Sequence, residues 1–162
     1  MANLIYSAFT SLDGYVADET GNFDWAELGE EVHAFINNRE RKNGTYLFGR
    51  KMYETMAVWE TPGVISDPTA GMLEYLPIWQ AAEKIVYSTT LRTFSTAKTL
   101  LERTFNADAV RKLKAGAARD IAVGGPALAA HAIRAGLVDE YNLLIAPVIA
   151  GEAIPICQAR SA

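Results

Sequence analysis

An α/β architecture follows from the order of the apolar runs in this 162-residue chain. Short strand-length runs alternate with segments of helical period, the strand-like runs are apolar on both faces, and two of them end in glycine turns that open helices. These observations predict a three-layer α/β/α sandwich around a mixed, mainly parallel sheet. The length predicts one domain spanning residues 1–162, with no internal repeat and no linker.

Leu4 to Ala8 is short, apolar and bounded by polar residues, the pattern of a buried strand. Ser11-Leu12-Asp13-Gly14 supplies turn chemistry, Tyr15-Val16-Ala17 briefly resumes the strand, and Asp18 to Asp24 is a polar loop. Leu28, Val32, Phe35 and Ile36 recur at helical spacing, with Glu30 and Glu31 in the first turns and Arg39 near the end. That is an amphipathic helix whose charges suit its dipole. Asn43-Gly44 reads as a turn, Thr45 to Phe48 as a second strand, and Lys51 to Ala57 as the helix that follows. From Glu60 to Pro77, three prolines and two glycines predict a long irregular connection. Lys84 to Ser88 is the third strand, Ala109 to Ala115 a short helix and Asp120 to Val123 the fourth strand. Ala127 to Ala135 is a helix with Pro126 at its start and Gly136 past its end, and Glu140 to Ala146 is a fifth strand closed by Pro147.

Composition narrows the functional classes. A hydrophobic fraction of 50% with 21% charged residues fits a globule that buries a core, and excludes a disordered chain. One cysteine, Cys157, excludes a disulfide framework and reads as an ordinary buried thiol. Two distant histidines, His33 and His131, leave no metal site and read as structural. No apolar run reaches membrane-spanning length and the first residues lack a signal-peptide pattern, so the expected location is cytoplasmic. The net charge of −4 argues against general nucleic-acid binding. No lysine or arginine precedes Arg39, whereas seven acids do; later basic clusters leave room for a small anionic ligand.

Two strand-to-helix junctions carry the candidate chemistry. Leu47-Phe48-Gly49-Arg50-Lys51 turns over one glycine and Val123-Gly124-Gly125-Pro126 over a pair. Helix N-termini at the carboxyl ends of parallel strands present backbone N–H groups, and glycine lets a phosphate approach. Such glycines also serve turns alone, and neither junction is a GxGxxG or Walker sequence. Ser88-Thr89-Thr90 adds hydroxyls at the same sheet edge, where ligands of α/β proteins collect. Asp24-Trp25 could receive a flat heterocycle or staple a helix entry, and Asp13 reads as a turn former rather than a general acid.

Residues 7–17 (Ser-Ala-Phe-Thr-Ser-Leu-Asp-Gly-Tyr-Val-Ala), 47–54 (Leu-Phe-Gly-Arg-Lys-Met-Tyr-Glu), 84–88, 123–126 and 136–141 together resemble the dihydrofolate-reductase-like fold. Within it they are similar to the C-terminal reductase domain of the riboflavin-biosynthesis enzyme RibD. The resemblance implies an NADPH-dependent reductase acting on a small heterocyclic or sugar-derived substrate, similar to 5-amino-6-(5-phosphoribosylamino)uracil reductase. Dihydrofolate reduction and a non-catalytic NADP-binding module are the alternatives. It places Ala8 by the nicotinamide and Gly49, Arg50, Lys51 and Met52 at a phosphate. Ser88 and Thr89 meet the adenosine ribose and its 2′-phosphate, while Gly124, Gly125, Pro126, Ala127 and Leu128 cradle the pyrophosphate, with a cis bond expected between the two glycines. Asp24, Trp25 and Glu31 are the substrate-side candidates, and no catalytic residue is assigned. Three departures stand out: His33 occupies the position of the folate-pairing acid, Ala127 replaces a base found in some relatives, and the chain ends where relatives add a hairpin. A homodimer is expected, with residues 140–149 near the contact.

Overall fold

A computed structural model describes residues 1–23, 28–61, 63–151 and 153–156. Its strands are β1 (Leu4–Thr10), β2 (Tyr15–Asp18), β3 (Asn43–Gly49), β4 (Glu83–Tyr87), β5 (Thr99–Glu102), β6 (Asp120–Gly124), β7 (Glu140–Ile145) and β8 (Ala153–Pro155). Its α-helices are α1 (Glu30–Glu40), α2 (Arg50–Met56), α3 (Ala70–Ala81), α4 (Ala107–Gly116) and α5 (Pro126–Arg134). Six strands form one sheet in the order β5-β4-β3-β6-β1-β7, and every pairing in it is parallel. Antiparallel pairing is confined to β2 with β8.

The strand order brings the two glycine junctions together. After β3 the chain steps outward through β4 and β5, then returns to insert β6 between β3 and β1. Phe48 thereby pairs with Gly124, so both glycine junctions open side by side at the carboxyl end of the sheet. That is where a reversal of strand order leaves a crevice in an open α/β sheet.

Each face has its own core. On one, Leu4, Tyr6, Leu47, Ile121 and Val123 pack with Val110 of α4 and Leu128, Ala129 and Ala132 of α5. On the other, Tyr46, Phe48 and Val86 pack with Tyr53 of α2 and with Tyr75, Ile78 and Trp79 of α3. Tyr46, Phe48 and Trp79 stack with centroids 5.4 to 6.0 Å apart. The Lys84 ammonium is enclosed over the Trp79 ring at 4.6 Å, 3.9 Å from the Glu60 carboxylate. Burial pulls it below the ordinary lysine range, and Glu60 opposes that shift. Among the described residues, no helix is long and apolar enough to cross a membrane.

Four expectations change. Residues 60–77 are not wholly irregular, because α3 begins at Ala70 with Thr69 Oγ1 accepting the Met72 amide. Pro77 lies inside this helix on its exposed side, while buried Tyr75, Ile78 and Trp79 hold the helix across the missing hydrogen bond. Asn43 and Gly44 belong to β3 rather than to a turn, and β5 is an additional, half-exposed edge strand. The Val32 and Phe35 face of α1 is not buried: these side chains are 37% and 51% exposed, and Asn37 is the buried one. Asn37 Nδ2 donates to Gly71 O (2.9 Å) and Glu74 Oε2 (3.1 Å), so α1 docks on α3 through polar contacts. Gly71 permits this approach, since a Cβ there would lie 2.5 Å from His33 Cβ.

The turn reading of Asp13 holds. Its carboxylate accepts from Ser11 Oγ (2.6 Å) and from the amides of Ala150 (3.0 Å) and Gly151 (2.9 Å), tying the β1–β2 turn to the segment before β8. The Ala150 amide foremost, then the Ser11 hydroxyl, hold its pKa down at about 2.

Candidate functional site

A groove of about 560 Å³ runs over the carboxyl ends of β3, β4 and β5 and against α5. Strand β3 supplies Gly49 and, beyond it, Arg50; β4 supplies Tyr87, then Ser88 and Thr89. Arg103, Thr104 and Phe105 follow β5, and α5 contributes Ala127, Leu128 and His131. These lining residues include two guanidiniums and an imidazole but no carboxylate.

Local bonds fix the polar wall. Ser88 Oγ accepts the amides of Thr90 (3.2 Å) and Leu91 (2.9 Å), closing a tight turn at the exit of β4. Arg50 reaches this turn from α2, donating from Nη1 to Thr90 Oγ1 (2.9 Å) and from Nε to Glu54 (2.7 Å). Arg103 reaches it from β5, donating from Nη1 to the carbonyls of Ser88 (3.0 Å) and Leu91 (2.7 Å). The opposite wall is aromatic. Phe105 lies 5.6 Å from Tyr87 and stacks at 5.8 Å on His131. Burial first, then repulsion from Glu102, push the Tyr87 hydroxyl up to about 12, so it stays neutral at pH 7.

At the second junction Gly125 has φ of +88°, a backbone state that glycine adopts without a side-chain clash, and it caps α5 with no side-chain cap. Pro126 opens the helix and the Ala129 amide bonds the Gly125 carbonyl, so the earlier amides of Ala127 and Leu128 face the groove end of the helix. Gly124 has a steric task of its own: a Cβ there would fall 2.6 Å from Phe48 Cε1 and 3.3 Å from Met52 Cγ. No cis peptide bond occurs among the described residues, so the expected cis Gly124-Gly125 linkage is corrected to trans. The positive φ of Gly125 makes the reversal instead.

The sequence candidates therefore divide. Gly49, Arg50, Ser88, Thr89, Ala127 and Leu128 line one groove. Met52 packs beside Gly124 and Gly125, Lys51 is exposed on α2, and Ala8 sits half-buried on β1 opposite Leu143. Glu31 is exposed in the first turn of α1, outside the groove. Asp24 and Trp25 lie outside the described residues. His131, expected to be structural only, lines the groove, as do Arg103, Thr104 and Phe105. The i, i+3 spacing of Leu128 and His131 was the available signal for the histidine. The residues after β5 had none, because that strand's pattern is weak.

The arrangement suits a ligand with anionic groups and a flat ring: guanidiniums and hydroxyls on one wall, aromatic faces on the other. A nucleotide cofactor fits this donor set. In comparisons with known proteins, the family model of the RibD C-terminal domain matches residues 2–161. YyaP of Bacillus subtilis strain 168, itself uncharacterised, is 28% identical over 156 residues, covering 94% of this chain and 79% of that protein. A solved structure named for riboflavin biosynthesis from Shewanella sp. PV-4 superposes with a TM-score of 0.73 at 20% identity, covering 100% of this chain and 86% of that one. The RibD structure of Acinetobacter baumannii gives 0.69 at 12% identity, covering 100% and 51%. A Thermotoga maritima diaminohydroxyphosphoribosylaminopyrimidine deaminase/5-amino-6-(5-phosphoribosylamino)uracil reductase gives 0.63 at 14%, covering 96% and 47%. The chain thus spans about half the length of these last two proteins. The structural likeness shows a shared fold.

Proposed function

We propose that this chain, which belongs to the RibD C-terminal domain family, is an NADPH-dependent reductase of a small heterocyclic or sugar-derived substrate. The groove over β3, β4 and β5 carries this reading, because it offers cations, hydroxyls and an aromatic wall with no opposing carboxylate among its lining residues. NADPH, when bound, supplies the hydride that reduces a C=N or C=O bond. The chain's residues bind and orient. Arg50 and the Ser88–Thr90 turn would hold the 2′-phosphate, Phe105 and His131 would flank the adenine, and the amides of Ala127 and Leu128 would hold the pyrophosphate. The nicotinamide end would then lie toward β6 and β1, where Ala8 packs on the α5 side of the sheet.

A ribosylamino-pyrimidine is the first substrate to test, by analogy with the activity named for the Thermotoga protein. Dihydrofolate is disfavoured: His33 stands at the aligned position of the pterin-pairing acid, with its Cβ packed at Gly71. Incubation with NADPH and 5-amino-6-(5-phosphoribosylamino)uracil, then with related carbonyl and imine compounds and with dihydrofolate, reads the activity as loss of the reduced-nicotinamide absorbance. Substrate-dependent loss supports a reductase. Binding of NADPH with no turnover across the panel would favour a binding module.

The active unit in this proposal is a homodimer. Strand β7 is an edge of the sheet, and Tyr141, Leu143 and Ile145 stand 51%, 47% and 59% exposed along one of its faces. An apolar edge strand of this kind is stabilised by cover, and a second copy supplies an identical apolar row.

A further inference from the structure

We infer that Arg103 is a second reader of the cofactor's 2′-phosphate, so that the preference for NADPH over NADH rests on two guanidiniums flanking the Ser88–Thr90 turn. The inference rests on the cofactor reading above and refines it. Arg50 comes to the turn from α2 and Arg103 from the end of β5, and both line the groove. Their charges are not equivalent. Arg50 is paired with Glu54 at 2.7 Å, whereas no ion pair involves Arg103 among the described residues. An anion entering the groove must compete with Glu54 for the first guanidinium and with no carboxylate for the second.

Geometry also favours Arg103. Both of its hydrogen bonds leave from Nη1, to the carbonyls of Ser88 and Leu91, which orients the planar group beside the turn before any ligand arrives. Nη2 and Nε keep three N–H donors, a fork suited to two phosphate oxygens. A group held this way loses little freedom on binding. Ser88 Oγ accepts two backbone amides and lies 3.4 Å from Thr90 Oγ1, which places both hydroxyls at the turn between the two arginines. Ala127 adds no charge from α5, which leaves these two cations as the arginine component of the groove.

The competing explanation makes Arg103 a clamp that only shapes the β4 exit. The two roles separate by cofactor. A clamp serves the adenosine of NADPH and NADH alike, whereas a phosphate contact serves NADPH alone. Affinities of wild type, Arg103→Gln, Arg103→Lys and Arg50→Ala for NADPH, NADH and 2′,5′-ADP are measured by calorimetry, with circular dichroism reporting the fold. Arg103→Gln keeps a donor for the carbonyls and removes the charge. It should weaken NADPH and 2′,5′-ADP by roughly ten-fold or more and change NADH about two-fold or less. Arg103→Lys should fall between, and Arg50→Ala should leave a residual preference that raised salt reduces further. Equal losses for NADPH and NADH in Arg103→Gln, or no loss in either, would overturn the inference while leaving the cofactor reading intact. A folded wild type that takes up neither NADPH nor 2′,5′-ADP would overturn both.

Discussion

Replacing Gly124 by alanine separates two reasons for a glycine at the end of β6. If the residue served only close approach of a phosphate, the apo protein would tolerate a methyl group. The structure gives a different expectation. The new Cβ would lie 2.6 Å from Phe48 Cε1 and 2.8 Å from Cδ1, well inside van der Waals contact. Phe48 cannot swing away, being 3% exposed and stacked on Tyr46 at 5.4 Å and Trp79 at 6.0 Å. Overpacking of this kind costs about 1–3 kcal/mol. Alanine recovers ~0.4–1 kcal/mol by restricting the unfolded chain. The midpoints of these ranges leave a net destabilisation of about 1.3 kcal/mol, or roughly 3–5 °C in Tm for a domain of this size. Thermal unfolding by circular dichroism without nucleotide reads it directly. Phe48→Leu in the same background should absorb part of the loss, giving less than the sum of the two single changes. An unchanged apo Tm for Gly124→Ala would refute the packing argument and return the glycine to ligand approach alone.

Two further outcomes are expected. Asp13 titrates below its unfolded value, at about 2 against 3.8, so its contribution is present above pH 4 and lost as pH falls toward 2. Asp13→Asn should therefore lower Tm at pH 7 and flatten the loss of Tm between pH 4 and 2; a wild-type acid limb in the variant would contradict this. Leu143→Asp, on the exposed row of β7, should convert a dimer into a folded monomer by light scattering. A monomeric wild type at tens of micromolar, or a variant that stays dimeric, would remove β7 from the interface.

How far the sequence carried the reading depended on burial. Strands buried on both sides, such as β3 and β6, left unmistakable apolar runs ending in glycine, and these located both junctions. Strand β5 is a four-residue edge with Leu100 53% exposed, too short and too wet to leave a pattern. Missing it hid Arg103, Thr104 and Phe105, which lie just past its end, and with them three of the groove's lining residues. Helix α3 was obscured by Pro77, whose local cost is outweighed by burial of Trp79 and its neighbours. Helix α1 was legible as a helix but not in its orientation. Its apolar stripe faces outward and its docking face is polar, because Asn37 and Glu30 find partners on α3 that sequence spacing does not reveal. The packing role of Gly124 is a contact between neighbouring strands and has no trace in local sequence.

The chain has two histidines, and only one of them, His131, lines the groove; His33 packs on α3. Their ring-proton resonances, assigned with His33→Gln, make the most direct test of the central claim during titration with 2′,5′-ADP and then NADPH. The account predicts a saturable shift of the His131 signals with both nucleotides while 2′,5′-ADP leaves His33 in place. Resonances that stay unmoved to millimolar NADPH, or a shift of His33 in place of His131, would contradict nucleotide binding in this groove.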